Sequence, residues 1–204
     1  MQLTLLIGGM FYLNKYCGLL ELKYLGLPCV EWKEYYNGIF LNSNCKWSVR
    51  VANRYGRDTS LPHEIGVSAL DAYKFADSWN KEYDLVIVSE YFKAKISGNI
   101  LITYDDVVIE WTKGNSTDLT RKGIWEEHIQ FAYKENVIDR NVLLNRTIFS
   151  KLIHYATYIR NKYLGNLLEG KAIILEWSII DFDADITEYH YKENEIIFYD
   201  LRIV

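Results

Sequence analysis

Apolar positions along the chain follow two periods, and the switches between them mark out the elements. In the segment 14–25, Leu19, Leu22 and Leu25 recur at helical spacing and Gly26, Leu27 and Pro28 supply a stop, which predicts a short helix after a turn. The run around Trp47 to Ala52 predicts a strand leading into a polar loop that holds Gly56 and Pro62. Beyond the loop, Leu70, Tyr73, Phe75 or Ala76, and Trp79 lie along one helical face, so a second helix follows.

From Asp84 the period shortens. The runs DLVIVSEYF, GNILITYDD and VVIEW are rich in β-branched residues and separated by turn residues, the pattern of an antiparallel meander, with Asp105 and Asp106 in a hairpin turn. KGNSTDLTRKG then reads as a polar, flexible loop. Phe149, Leu152, Ile153, Ala156, Ile159 and Tyr163 restore a helical face that Gly165 or Gly170 ends, and KAIILEWSIIDFD and NEIIFYDLRIV read as two closing strands. With no repeat, low-complexity tract or long linker, the expected organisation is one unit with two lobes, 1–83 and 84–204.

Composition narrows the partners. The chain has 204 residues, 50% of them hydrophobic, which is enough to bury a sizeable core, and its formal net charge is −4. No global basic field exists to hold a phosphodiester backbone, so nucleic acid is not the expected partner. Cys17, Cys29 and Cys45 are odd in number and lack a CxxC spacing, which fits neither a disulfide framework nor a zinc site and predicts a cytoplasmic protein. The apolar opening MQLTLLIGGMFYLNK lacks a basic leader and is too short to span a bilayer; it reads as a first strand and turn, with no export and no membrane anchor expected. His63, His128, His154 and His190 are dispersed, without HExxH, and the alternating Asp181, Asp183 and Asp185 read as a solvated connection because no calcium-loop glycine and glutamate accompany them.

Chemistry concentrates in the two closing strands. Glu176 interrupts the apolar run AIILEWSI, where an ionised carboxylate is costly unless a cation or donor meets it. Asp200 and Arg202, two apart on the last strand, share one face, with Tyr199, Leu201 and Ile203 expected on the other. Two carboxylates and a guanidinium on adjacent strands suit Mg²⁺ and a polyphosphate. They equally suit a structural salt bridge at a sheet edge, and spacing alone leaves both readings open.

Several stretches, taken in order, resemble the ATP-binding domain of the phosphoenolpyruvate synthase and pyruvate phosphate dikinase family. NKYCGLLELKYLGLPCV is similar to that family's GGKxxNLxEL…GLPVP, with Lys15 at the lysine and Gly26, Leu27 and Pro28 at the GLP. WSVRVAN…TSLPHEIG is similar to VRSS…EDLP…FAG, with Arg50 at the arginine and Gly66 at the last glycine. DLVIVSEYFKAKISGNILIT resembles VIVQEMV…SGVLFT, matching at Glu90, Ser97 and Gly98. An ExW strand and a closing polar-x-Arg strand complete the order. The chain departs from the pattern at Val51 and Ala52 (a serine pair in the family), at Thr59 and Ser60 (ED), at Asp200 (Gln), and in a short stretch between Pro28 and Arg50. No phosphohistidine domain and no pyruvate-binding barrel is expected in this length.

The resemblance implies an α+β, two-lobed ATP-grasp-like fold of mainly antiparallel sheets with packed helices and a trimmed N-terminal lobe. It implies ATP and Mg²⁺ as cofactors. Lys15, Arg50, Gly66, Glu90 and Arg202 would bind the nucleotide, Arg50 and Arg202 would act catalytically on the phosphates, and Glu176 and Asp200 would hold the metal. Main-chain groups from Val88 to Tyr91 would hold the adenine. The implied activity is Mg-dependent phosphoryl transfer to a small acceptor or a separate partner protein. An ATP-dependent carboxylate ligase and a non-catalytic nucleotide sensor or interaction subunit are the alternatives, because fold analogy does not choose among them.

Overall fold

The computed structural model describes residues 14–56, 61–80, 83, 85–116, 119, 122–133, 135, 141–181 and 195–204. The expected first strand in 1–13, and Asp183 and Asp185, lie outside the described residues.

Two antiparallel sheets form the frame. The first has the order β1-β4-β2-β3, built from β1 (Trp32–Glu34), β2 (Trp47–Val51), β3 (His63–Val67) and β4 (Val86–Glu90). The second has the order β7-β6-β5-β8-β9, built from β5 (Ala94–Ile102), β6 (Asp106–Lys113), β7 (Glu127–Ala132), β8 (Ile173–Ile180) and β9 (Ile196–Ile203). Helix α1 (Lys15–Tyr24) packs on β9, α2 (Ala69–Trp79) covers the first sheet, and α3 (Arg146–Lys162), followed by the short α4 (Leu164–Leu168), covers the second.

Local chemistry sets these boundaries. Asn14 caps α1 by accepting from the Cys17 N–H, and Gly26 at φ 67° turns the chain out of the helix, a conformation that disfavours a Cβ. Ser68 and Asn145 cap α2 and α3 in the same way. Along α3 the buried stripe is Ile148, Phe149, Leu152, Ala156 and Ile159, close to the periodicity expected. On α2 the buried stripe is Ala69, Ala72 and Ala76, whereas Leu70 is 63% exposed. The first sheet is approached closely there, so small residues rather than large ones face it.

The meander expected from Asp84 starts one strand later. β4 pairs with β1 and β2 in the first sheet, and only β5 and β6 form the hairpin, so the chain crosses between sheets at Tyr91 to Lys93. Period-two alternation on β4 serves both cores: Val86 and Val88 join the smaller cluster under α2, while Leu85 and Ile87 join the larger cluster that contains Trp177, Phe198 and Phe149. β1, β3 and β7 were not legible as strands; β3 in particular lies in the expected polar loop, with its first three residues exposed.

The free edge of β9 is partly covered. Phe198 donates to Pro28 O at 2.8 Å and Val30 donates to Phe198 O at 3.0 Å, so the segment after α1 pairs with the last strand. No helix among the described residues is long and apolar enough to cross a membrane.

Candidate functional site

β8 and β9 run in a register that sets Glu176 directly opposite Asp200. Helix α1 begins beside them, and its first residue, Lys15, reaches across with Nζ 2.8 Å from Asp200 Oδ2 and 3.9 Å from Glu176 Oε2. Arg202 closes the group, with Nε 2.7 Å from Asp200 Oδ2 and Nη2 paired with Glu176 Oε1. Side-chain exposure grades outward from Asp200 at 1% through Glu176 at 13% and Lys15 at 16% to Arg202 at 44%. Asp200 and Arg202 therefore do share a face. Two cations and two carboxylates balance, which makes burial of Asp200 tolerable.

Lys15 and Glu176 also line a cleft of about 270 Å³ between the sheets. The first-sheet side contributes Trp32, Ser48, Arg50, Ser89 and Glu90, and the second-sheet side contributes Ser97, Ser178 and Tyr199. Among the described residues, the Arg50 guanidinium makes no ion pair or hydrogen bond, yet its charge is close enough to push the Lys15 ammonium toward neutrality. Burial is the main cause lowering the Lys15 pKa, and Asp200 opposes it. For Arg202, partial burial works against the charge, but Asp200 and Glu176 outweigh it and raise its pKa.

The sequence-assigned residues are thus divided. Lys15, Arg50, Glu90 and Glu176 line one cleft, and Asp200 and Arg202 join it through their ion pairs. Lys15, expected at a turn, begins a helix and is largely buried. Gly66 adopts φ 71° on β3 and does not line the cleft; a Cβ there would sit 3.4 Å from the Tyr91 ring, so Gly66 makes room for a residue that does. Of the main chain expected to hold an adenine, Val88 to Tyr91, part is paired within the sheet. Val88 and Ser89 are in register with β1 on one side and β2 on the other, and Tyr91 donates to Lys46 O at 2.8 Å, because β4 is an interior strand rather than an open hinge.

Tyr199, expected on the face opposite Asp200 and Arg202, lines the cleft with Glu176 and Lys15. The β8/β9 register shifts between Glu176 and Trp177, so Tyr199 is the extra residue of a bulge, and a bulge re-aims the side chain it carries. Its hydroxyl lies near those of Ser116 and Ser178 but, among the described residues, is buried without a partner at hydrogen-bond geometry, as is Trp32 Nε1 on the opposite wall. Burial, reinforced by the Glu176 charge, pushes the Tyr199 phenol up to about 12, so it stays protonated.

The carboxylates suit Mg²⁺ by donor type. Asp200 Oδ1 is a buried hard oxygen with no hydrogen-bond partner, and Glu176 stands beside it. The described residues hold no group of three or more His, Cys, Asp or Glu able to enclose a metal, so the ion would draw further oxygens from a ligand.

Comparison with solved structures fixes the fold class. D-alanine–D-alanine ligase from Bacillus anthracis superposes with a TM-score of 0.52 at 11% identity, over 93% of this chain and 56% of that one. L-amino acid ligase from Bacillus licheniformis gives 0.52 at 13% identity, over 92% of this chain and 39% of that one. The chain thus spans about half the length of the first and less of the second. No protein-family model matches the sequence, and no curated protein sequence matches it. The architecture is an α+β, two-lobed ATP-grasp-like fold with a trimmed N-terminal lobe.

Proposed function

We propose that the cleft binds Mg·ATP and that the bound nucleotide activates a carboxylate as an acyl phosphate. The observation that carries this reading is Arg50, a cation with no ion pair or hydrogen bond among the described residues, held near a second cation in a cleft whose walls also bury two donors without partners among those residues. The carboxylates of the site, Glu176 and Asp200, are taken up by Lys15 and Arg202, and a polyphosphate supplies acceptors and negative charge to Arg50 and the two donors. Lys15 and Arg50 bind phosphate oxygens, and Arg202 orients the terminal phosphate. Glu176 and Asp200 would hold Mg²⁺, which neutralises phosphate charge when bound. Glu90, buried in the cleft wall, and Gly66, beneath Tyr91, shape the nucleotide-binding surface.

In this chemistry a carboxylate oxygen of the acceptor bonds to the γ-phosphorus while the bridging P–O bond breaks and ADP leaves; an amine then displaces phosphate from the acyl carbon. Both structural neighbours are named as ligases of amino acids, which favours this reading over phosphoryl transfer in the manner of phosphoenolpyruvate synthase. The second reading, a phosphotransferase acting on a small acceptor or a separate phosphoacceptor protein, keeps the support of the ordered motifs from Lys15 through Arg50 to Arg202.

The test is calorimetry with ATP, with and without Mg²⁺, followed by incubation with ATP, an amino-acid panel and hydroxylamine. Hydroxamate formed only when ATP and a carboxylate are both present supports acyl phosphate chemistry. ATP binding without hydroxamate favours the phosphotransferase or a non-catalytic sensor, and no binding at millimolar Mg·ATP removes the reading altogether.

A further inference from the structure

The hydroxyls on the second-sheet wall can be assigned their protons. Ser97 Oγ donates to Gly114 O at 2.6 Å, so its single proton is committed there. The 2.8 Å contact between Ser97 Oγ and Ser178 Oγ must then be donated by Ser178. Both serine protons point into the sheet. Tyr199 stands in the same wall with the Ser116 and Ser178 hydroxyls near its own, yet among the described residues no partner meets its hydroxyl at hydrogen-bond geometry.

A buried hydroxyl without a partner forfeits the hydrogen bonds it made to water, a cost that a ligand acceptor repays. The bulge that delivers Tyr199 to the cleft gives up a ladder pairing to do so; beside Glu176, the same cleft holds Lys15, whose Nζ is 5.9 Å from the Tyr199 ring, and Arg50, cations that attract the same kind of ligand atom. We propose that Tyr199 is a ligand-binding residue whose neutral hydroxyl donates to a phosphate oxygen of the anion held by Lys15 and Arg50. This rests on the reading of the cleft as an anion site, and adds a donor that neither the sequence periodicity nor the resemblance assigned. The interaction is a hydrogen bond from a neutral donor to a charged acceptor, and no proton leaves Tyr199.

Removal of the hydroxyl in Tyr199→Phe tests it, with inorganic tripolyphosphate and Mg·ATP as separate probes. The expected result is an unchanged or slightly raised melting temperature of the free protein, because an unsatisfied group is lost, together with roughly tenfold or greater loss of affinity for both probes, the worth of a hydrogen bond to a charged group. Loss of affinity for tripolyphosphate in a protein that does not bind ATP would reject the nucleotide reading and leave the role of Tyr199 standing. Unchanged affinity overturns the proposal. So does a lowered melting temperature of the free variant, which would mean the hydroxyl already has a structural partner, and so does a wild-type protein that binds neither probe.

Discussion

Lys15 Nζ lies 2.8 Å from Asp200 Oδ2, and this pair ties the first turn of α1 to the interior of the last strand. Asp200 is 1% exposed, so its charge depends on Lys15 and Arg202, and theirs on it. Asp200→Ala leaves a partly buried lysine facing an arginine. The expected cost is about 3 kcal/mol of unfolding free energy in a denaturant titration, typical for breaking a buried pair. A loss below about 1 kcal/mol would show that solvent screens the cluster.

Arg202→Ala separates stability from binding. Arg202 is 44% exposed, and its removal leaves Lys15 on Asp200, so stability should fall by no more than about 1 kcal/mol. Affinity for ATP should fall roughly tenfold while affinity for AMP changes little, because AMP has no terminal phosphate for the guanidinium to grip. Arg202→Lys should rescue poorly, since a point charge does not reproduce a bidentate grip. A large stability loss with an unchanged ATP-to-AMP ratio would make Arg202 purely structural.

How much of this was legible in the sequence depends on range. The α1 stop at Gly26, the α3 stripe and the two closing strands were visible because their signals are local. The sharing of a face by Asp200 and Arg202 followed from period two, and the same rule misplaced Tyr199 because a bulge adds a residue that periodicity does not count. β3 was hidden by its exposed, polar edge position, and the pairing of β4 with β1 and β2 is a choice of partner that no local run encodes. The Lys15 ion pair spans most of the chain, and no spacing rule reaches that far.

Mg²⁺ should bind with a nucleotide and hardly at all without one. Lys15 and Arg202 already neutralise both carboxylates, and Asp200 Oδ1 alone is too small a ligand set. Millimolar Mg²⁺ by itself should not shift the melting temperature, whereas Mg²⁺ with ATP should raise it above ATP alone. Glu176→Gln, which keeps size and removes charge, should abolish that difference. A shift with Mg²⁺ alone would instead reveal a preformed metal site.

Alkaline pH should expose Tyr199. Its pKa is pushed up to about 12 in the fold from an ordinary value near 10, so the unfolded chain loses its proton first. The contribution is therefore intact below pH ~10 and is lost as pH rises through ~12, to the extent of about 3 kcal/mol. Tyr35, also pushed up to about 12, acts in the same direction, while Lys15, with its pKa lowered, acts in the opposite one. The difference in stability between wild type and Tyr199→Phe across pH 9 to pH 12 isolates the single phenol. A flat difference would mean that Tyr199 ionises as freely in the fold as outside it.

Gly18 decides whether α1, and with it Lys15, can reach the site. A Cβ at Gly18 would lie 2.2 Å from Leu201 O, a backbone atom that cannot swing aside as a side chain would. Gly18→Ala must lift α1 from β9 or distort the strand, and either movement draws Lys15 away from Asp200. The expected outcome is a loss of about 3 kcal/mol in stability together with weaker binding of tripolyphosphate. Gly165, in α4, is the control: a Cβ there meets nothing within 4 Å, and its backbone is not in the left-handed region. Gly165→Ala should therefore stabilise the protein by roughly 0.5 kcal/mol and leave binding unchanged. If Gly18→Ala kept both full stability and tripolyphosphate affinity, the close seating of α1 on β9 would not be what positions the lysine.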